Sequence, residues 1–156
     1  MPPTRDMNLI EVAFTLANEA HWKVRSLRGR PYIFHAIRVM EQMDTDEECA
    51  VALLHEVLED SSPSLPVEML EKWLPENVVE AVKVLTRAPG REHETYAKYI
   101  ERISSIPLAA KVKLADLKDN LRWERIPEVK IKELEQMGKY VKAVACLQGH
   151  EIEGVF

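Results

Sequence analysis

The segment from His55 to Asp60 carries an imidazole and three carboxylates within six residues. On a helix that turns about 100° per residue, His55, Glu56, Glu59 and Asp60 fall on one arc. Carboxylates at these spacings repel one another, and the negative end of the helix dipole disfavours them further. A bound cation would convert this repulsion into coordination. The segment therefore indicates a site for a divalent metal, with a solvated acidic helix face as the alternative.

Two other segments carry side chains of the same chemical kind. His35 follows Pro31 among apolar neighbours, where a single histidine is more often a core residue than a ligand. Lys113, Asp116 and Asn120 share one narrow helical arc beside an apolar stripe, a pattern that an ordinary amphipathic helix also gives. Mixed imidazole and carboxylate ligands suit Mn²⁺, Fe²⁺, Co²⁺ or Zn²⁺. Because no HExxH motif or cysteine pair is present, the fold would have to bring such ligands together.

The elements that must position these residues are predicted to be helices throughout. Apolar periodicity and capping patterns predict helices near 8–27, 31–43, 45–60, 64–73, 75–86, 92–104, 108–122 and 128–147. Thr45 with Glu48 forms a capping-box pattern, and Pro31 suits a first helical turn. We expect an all-α fold of about seven to eight helices. It would form one domain over 1–156, with a core at about 8–147 and a loose C-terminal tail at 149–156.

Composition and charge narrow the classes of function. The chain has 156 residues, of which 46% are hydrophobic and 30% charged, which is typical of a globular domain. A net charge of -5 argues against general nucleic-acid binding, but it leaves room for a local basic pocket. No apolar run is long enough to span a membrane. Cys49 and Cys146 are expected to be buried free thiols, and we expect a cytoplasmic protein. The oligomeric state is left open.

Five motifs, in order and at similar spacing, resemble the HD-domain metal-dependent phosphohydrolases. They are Ala20-His21, Pro31-Tyr-Ile-Phe-His35, Ala52–Asp60, Leu85-Thr-Arg87 and Val112–Asn120. The resemblance covers roughly residues 8 to 147 and is closest to the small stand-alone homologues of the Rel/SpoT (p)ppGpp hydrolases. It implies an HD-domain fold, one divalent metal, usually Mn²⁺, and hydrolysis of a phosphorylated nucleotide. Most such relatives remove the 3′-pyrophosphate of (p)ppGpp.

The resemblance also assigns roles to individual positions. It implies four metal ligands: His35, His55, Glu56 and Asp116. Glu59 and Asp60 would flank the attacking water as proton acceptors, and Asn120 would contact the nucleotide sugar. Lys113 and the basic turn around Arg25 would offset phosphate charge, although a solubilising turn is an alternative explanation for that turn.

Three departures from the family pattern keep other functions open. Glu56 stands where the family has aspartate, Ser26 aligns with an expected arginine, and Trp123 replaces a small hydroxyl residue. One alternative is therefore a degenerate domain that binds a nucleotide or a partner without turnover. Another is a phosphatase that resembles the 5′-nucleotidases.

Overall fold

The structure is a computed structural model that describes residues 1–59, 65–87 and 93–150. Within these ranges the chain forms eight α-helices and one short 3₁₀ helix at Trp123–Arg125. The helices are α1 (Leu9–His21), α2 (Ile33–Met40), α3 (Asp46–Leu54), α4 (Val67–Trp73), α5 (Glu76–Leu85), α6 (Tyr96–Ser104), α7 (Pro107–Asn120) and α8 (Ile131–Leu147). The one β-type feature of these ranges is an isolated antiparallel bridge between Arg25 and Pro31. The predicted all-α fold of seven to eight helices is confirmed.

Helix α3 is the centre of the core. It packs against α1, α2, α5 and α7, and every residue from Ala50 to Leu54 is fully buried. The alanines of α3 therefore lie in the core, where small side chains allow the close packing that a protein interior requires.

Capping boxes fix the starts of two helices. At α1 the Asn8 side chain accepts from Glu11 N at 2.9 Å, and the Glu11 carboxylate accepts from Asn8 N at 2.8 Å. At α3 the predicted box is present, since the Thr45 hydroxyl accepts from Glu48 N at 3.2 Å and Glu48 accepts from Thr45 N at 3.3 Å. Each N-cap contributes about 1 kcal/mol. The second box sets the register of the helix that leads into His55.

Helix α1 ends at His21 rather than near residue 27. The chain then reverses: Ser26 N donates to Arg30 O at 2.8 Å, and Tyr32 N donates to Val24 O at 3.1 Å. Gly29 has a φ of 75°, which glycine adopts without steric cost. A hydrogen-bonded reversal of the chain therefore stands where the last turns of the helix were predicted. It leads directly into α2, which carries His35.

Helix α3 also ends earlier than predicted, at Leu54 instead of near Asp60. The His55 ring Nδ1 donates to Ala52 O at 2.6 Å and competes for a carbonyl that would continue the helix. Tight turns follow, in which Val57 N donates to Leu54 O and Glu59 N to Glu56 O, both at 3.1 Å. Asp60, the second predicted proton acceptor, lies outside the described residues.

Four other expectations concern the cysteines, membrane spans, the C-terminal tail and the number of domains. Both cysteines are free thiols as expected, but each is half-buried rather than buried. Among the described residues, no helix has the length and apolar character needed to cross a membrane. Most of the predicted tail, residues 151–156, is outside the described part of the chain, and the single domain over 1–156 stays a prediction.

Candidate metal centre

Four side chains converge from three parts of the fold. His35 comes from α2, His55 and Glu56 come from the turn after α3, and Asp116 comes from α7. One ligand atom from each lies within 4.8 Å of the others. His35, His55 and Asp116 are 2%, 3% and 0% exposed, and Glu56 is half-buried. Two carboxylates beside two buried imidazoles form a donor set that suits a divalent cation.

Asp116 lies at the centre of this cluster. Its Oδ1 is 3.0 Å from His35 Nε2 and 3.6 Å from His55 Nε2. The second distance is too long for a hydrogen bond, and His55 Nε2 is buried without a hydrogen-bond partner among the described residues. Buried polar atoms are normally paired, so an unpaired imidazole nitrogen facing carboxylates fits a metal ligand.

Hydrogen bonds on the far side of each ring fix the imidazole tautomers. His55 Nδ1 donates to Ala52 O, and His35 Nδ1 donates to Asp119 Oδ2 at 2.6 Å. Because both Nδ1 atoms act as donors, Nε2 is the nitrogen that each ring can offer to a metal, as in many carboxylate–histidine–metal arrangements. In the structure His35 Nε2 pairs with Asp116 Oδ1 at 3.0 Å, whereas His55 Nε2 has no hydrogen-bond partner among the described residues. Sequence reasoning missed Asp119, although it lies one turn after Asp116 on the same helix.

Asp116 is held in its ionised form by its neighbours. Lys113 Nζ lies 2.7 Å from Oδ2, and Asn120 Nδ2 donates to Oδ1 at 2.8 Å. Burial alone would raise the pKa of Asp116, but Lys113 and the two histidines outweigh burial and hold the pKa well below its usual value. Lys113 and Asn120, both predicted to bind substrate, thus contact Asp116 directly.

Glu56 reaches the cluster despite its longer side chain. The Tyr32 hydroxyl donates to Glu56 Oε2, while Glu56 Oε1 lies 3.8 Å from His55 Nε2. The Tyr32 ring also packs edge-on against His35, with centroids 5.4 Å apart. Tyr32 therefore orients the carboxylate that replaces the family's aspartate, and sequence reasoning did not single it out for this role.

Glu59 is exposed and is not one of the four converging side chains. The Glu59 Oε2 atom accepts from Arg87 N at 3.2 Å, which connects Glu59 to the residues just after α5. The Arg87 guanidinium and Lys113 Nζ lie over the Tyr99 ring, 5.5 Å and 5.4 Å from its centroid. An exposed carboxylate three residues after Glu56 can exchange protons with solvent.

A cavity of about 340 Å³ opens beside His35. Its walls include five arginines: Arg28, Arg30, Arg38, Arg122 and Arg125. Asn120 also lines the cavity, as do two carboxylates, Glu124 and Glu133. Apolar and aromatic side chains line much of the remainder: Leu27, Phe34, Ile126, Met137 and Tyr140. Such a combination of cations and apolar surface suits an anionic ligand with a planar ring.

Arg25 is not among the residues that line this cavity. Its Nη1 donates to the carbonyl oxygens of Trp22 and Val24, both at 3.1 Å. Arg28, from the same basic turn, lines the cavity instead. The structure thus brings Asn120 and Lys113 to the centre and leaves Arg25 apart from it.

Comparison with known proteins gives two curated relatives that act on guanine nucleotides according to their names. No family model matches the chain. A guanosine-3′,5′-bis(diphosphate) 3′-pyrophosphohydrolase of Aquifex aeolicus (strain VF5) is 29% identical over 122 residues, which are 72% of this chain and 17% of that relative. A Mycobacterium leprae (strain TN) protein named "Probable GTP pyrophosphokinase" is 29% identical over 133 residues, 79% of this chain and 17% of that relative. The chain spans about a sixth of the length of these curated relatives.

A solved structure shares the fold over nearly the whole chain. It is described as a metazoan ortholog of SpoT that hydrolyzes ppGpp and plays a role in starvation responses. The two superpose with a TM-score of 0.76 at 23% identity, over 98% of this chain and 92% of the other. These findings confirm the resemblance to Rel/SpoT-type proteins that the ordered motifs indicated.

Proposed function

We propose that this chain is a metal-dependent phosphohydrolase that releases pyrophosphate from the 3′ position of a (p)ppGpp-like nucleotide. The observation that carries the proposal is the cluster of two imidazoles and two carboxylates beside an arginine-lined cavity, in which His55 Nε2 is buried without a hydrogen-bond partner among the described residues. The two curated relatives are named for opposite reactions, hydrolysis and synthesis. A hydrolase needs a centre that activates water, and the cluster has the donor set for one.

The proposed ligands of one divalent ion, which we expect to be Mn²⁺, are His35, His55, Glu56 and Asp116. When bound, such an ion lowers the pKa of a coordinated water and polarises a phosphoryl oxygen. The chain's own groups prepare the ligands: carbonyl and carboxylate acceptors keep both imidazoles protonated at Nδ1. Lys113 keeps Asp116 ionised, so that its Oδ1 stays available as a ligand.

Other residues would handle the proton and the substrate. In the proposal Glu59 accepts the proton of the attacking water, together with or in place of Asp60. Asn120 donates to the nucleotide sugar from the cavity wall. Because Lys113 Nζ is engaged by Asp116, the arginines of the cavity, rather than Lys113 or Arg25, offset most of the phosphate charge.

The net charge and the free thiols bear on the kind of substrate and on the location of the protein. The substrate we propose is a free phosphorylated nucleotide, since a net charge of -5 argues against general nucleic-acid binding. We propose a cytoplasmic location, because two free thiols persist most readily in a reducing compartment.

Metal analysis of the purified protein followed by a nucleotide panel with added Mn²⁺ tests the proposal. We expect one metal ion per chain and release of pyrophosphate from ppGpp. Release of orthophosphate from nucleoside monophosphates would support the 5′-nucleotidase-like alternative. Tight nucleotide binding by a metal-free protein that releases neither product would support the degenerate domain.

The affinity for Mn²⁺ should depend on pH above pH 6.5. Burial alone would lower the pKa of His55, but the Asp116 and Glu56 carboxylates outweigh it and raise the pKa above 6.5 in the metal-free protein. A proton on His55 blocks its Nε2, so affinity should rise by about tenfold per pH unit until the pH exceeds this raised pKa. Calorimetric Mn²⁺ titrations at several pH values measure the slope.

Thermal unfolding checks the direction in which Mn²⁺ affinity changes with pH. A raised pKa in the folded state means that protonated His55 stabilises the metal-free protein at low pH and that this stabilisation is lost as pH rises through the pKa. The shift in Tm on adding Mn²⁺ should therefore grow with pH. An affinity that is flat from pH 6.5 upward would show that His55 is not a ligand.

Aspartate in place of Glu56 distinguishes an active centre from a degenerate one. We expect the wild type to be active, because Glu56 already lies within the cluster and is held there by Tyr32. The Glu56→Asp protein should then keep its metal and a measurable rate of phosphate release. An inert wild type that becomes active as Glu56→Asp would instead identify a degenerate site.

A further inference from the structure

One buried carboxylate contacts both the metal centre and the wall of the cavity. Asp119 is 3% exposed and is not one of the four converging ligands. Its Oδ2 accepts from His35 Nδ1 at 2.6 Å and from Arg125 Nη1 at 3.0 Å. Arg38 donates two hydrogen bonds to Asp119, from Nε to Oδ1 at 2.8 Å and from Nη2 to Oδ2 at 3.1 Å. Burial favours the neutral acid, yet the His35 and Arg38 bonds hold the pKa of Asp119 well below its usual value.

The two arginines that hold Asp119 also line the cavity. Their side chains are 29% and 21% exposed, so both are accessible from the cavity side. A guanidinium carries five N–H donors. The bonds to Asp119 occupy two on Arg38, and the bonds from Nη1 to Asp119 and to Asn120 Oδ1 occupy two on Arg125. Donors therefore remain for a second anion, and phosphate or pyrophosphate matches their planar geometry.

We propose that Asp119 is a positioning residue that couples the metal centre to a phosphate-binding site formed by Arg38 and Arg125. This inference rests on the proposed function, because it takes His35 as a metal ligand. On one side, the bond from His35 Nδ1–H fixes the ring and makes Nε2 a better donor to a metal. On the other side, the same carboxylate holds both guanidinium groups in one orientation, which lowers the entropic cost of binding an anion.

Substitutions on the two sides of Asp119 should therefore have different effects. Loss of the Asp119 charge affects both the ring of His35 and the two arginines. Loss of one arginine removes an anion contact but leaves the His35–Asp119 hydrogen bond in place. A carboxylate that only stabilised the fold would lower the Tm without separating the two affinities in this way.

The test measures two affinities separately by calorimetry: Mn²⁺ without added phosphate, and inorganic pyrophosphate with the metal-free protein. Asp119→Asn should lower the Mn²⁺ affinity by about 10- to 100-fold, as outer-shell changes do, and the pyrophosphate affinity at least about tenfold. Arg38→Gln should lower the pyrophosphate affinity at least about tenfold and change the Mn²⁺ affinity by less than about threefold. Asp44→Asn, which removes an exposed carboxylate paired with Lys111 at 2.6 Å, is the matched control and should change neither.

Three results would overturn the inference: a folded Asp119→Asn protein with wild-type Mn²⁺ affinity, a folded Asp119→Asn protein with wild-type pyrophosphate affinity, or an Arg38→Gln protein with wild-type pyrophosphate affinity. If Asp119→Asn does not fold, two measurements decide together. Arg125→Gln must also lose pyrophosphate affinity, and ¹⁵N NMR of Zn²⁺-loaded wild type must show His35 protonated at Nδ1; failure of either overturns it. A wild type that binds no Mn²⁺ would contradict the proposed function itself, which separates the two failures.

Discussion

Asparagine in place of Asp116 is expected to abolish metal binding and nucleotide hydrolysis together. Asp116 Oδ1 is the atom that lies closest to both imidazole Nε2 atoms, and its charge balances Lys113 at 2.7 Å. The amide keeps the shape of the side chain but supplies no negative charge to a cation. Elemental analysis and a phosphate-release assay on the same preparation measure both losses.

The Asp116→Asn protein must be compared with a variant that loses an unrelated aspartate. Asp44→Asn serves here, because Asp44 is exposed and its ion pair with Lys111 lies outside the cluster. This control should keep its metal and its rate of hydrolysis. The assignment of Asp116 as a ligand is wrong if the Asp116→Asn protein is folded and retains a full complement of metal.

Glutamine in place of Glu59 is expected to lower turnover by about 10²- to 10⁴-fold, the usual contribution of a general base. Glu59 is exposed and is not one of the four proposed ligands, so the metal content should stay at the wild-type level. Glutamine can still accept from Arg87 N, which preserves the contact to the neighbouring loop. Single-turnover rates and metal content together separate a catalytic loss from a loss of metal.

A glutamate in a surface ion pair provides the control for that charge change. Glu71 lies 2.7 Å from Lys83 at the surface, and Glu71→Gln should leave the rate unchanged. Undiminished turnover in the Glu59→Gln protein would move the role of proton acceptor to Asp60. Loss of metal in the same protein would instead make Glu59 a ligand.

The sequence predicted those features that depend on neighbours along the chain. The capping box of Thr45 and Glu48 depends on residues three apart, and it is present. The arc of Lys113, Asp116 and Asn120 depends on helical spacing, and the three side chains do contact one another through Asp116. Local rules therefore sufficed for helix type and for the polar face of α7.

The parts that the sequence could not predict depend on contacts between distant elements. His35 and Asp119 are 84 residues apart, and Arg38 and Asp119 are 81 apart, so no local pattern links them. The early end of α3 depends on the His55 side chain competing for Ala52 O, which periodicity does not register. The resemblance to a known family pointed to His35 and His55, whereas Tyr32 and Asp119 emerged only from the three-dimensional arrangement.

The most direct test of the proposed metal centre is the anomalous X-ray scattering of a crystal soaked in Mn²⁺. We expect one anomalous peak in contact with Nε2 of His35 and of His55 and with carboxylate oxygens of Glu56 and Asp116. Crystals with full Mn²⁺ access that show no peak there, or a peak only elsewhere on the protein, would contradict the claim that these four side chains form a metal centre.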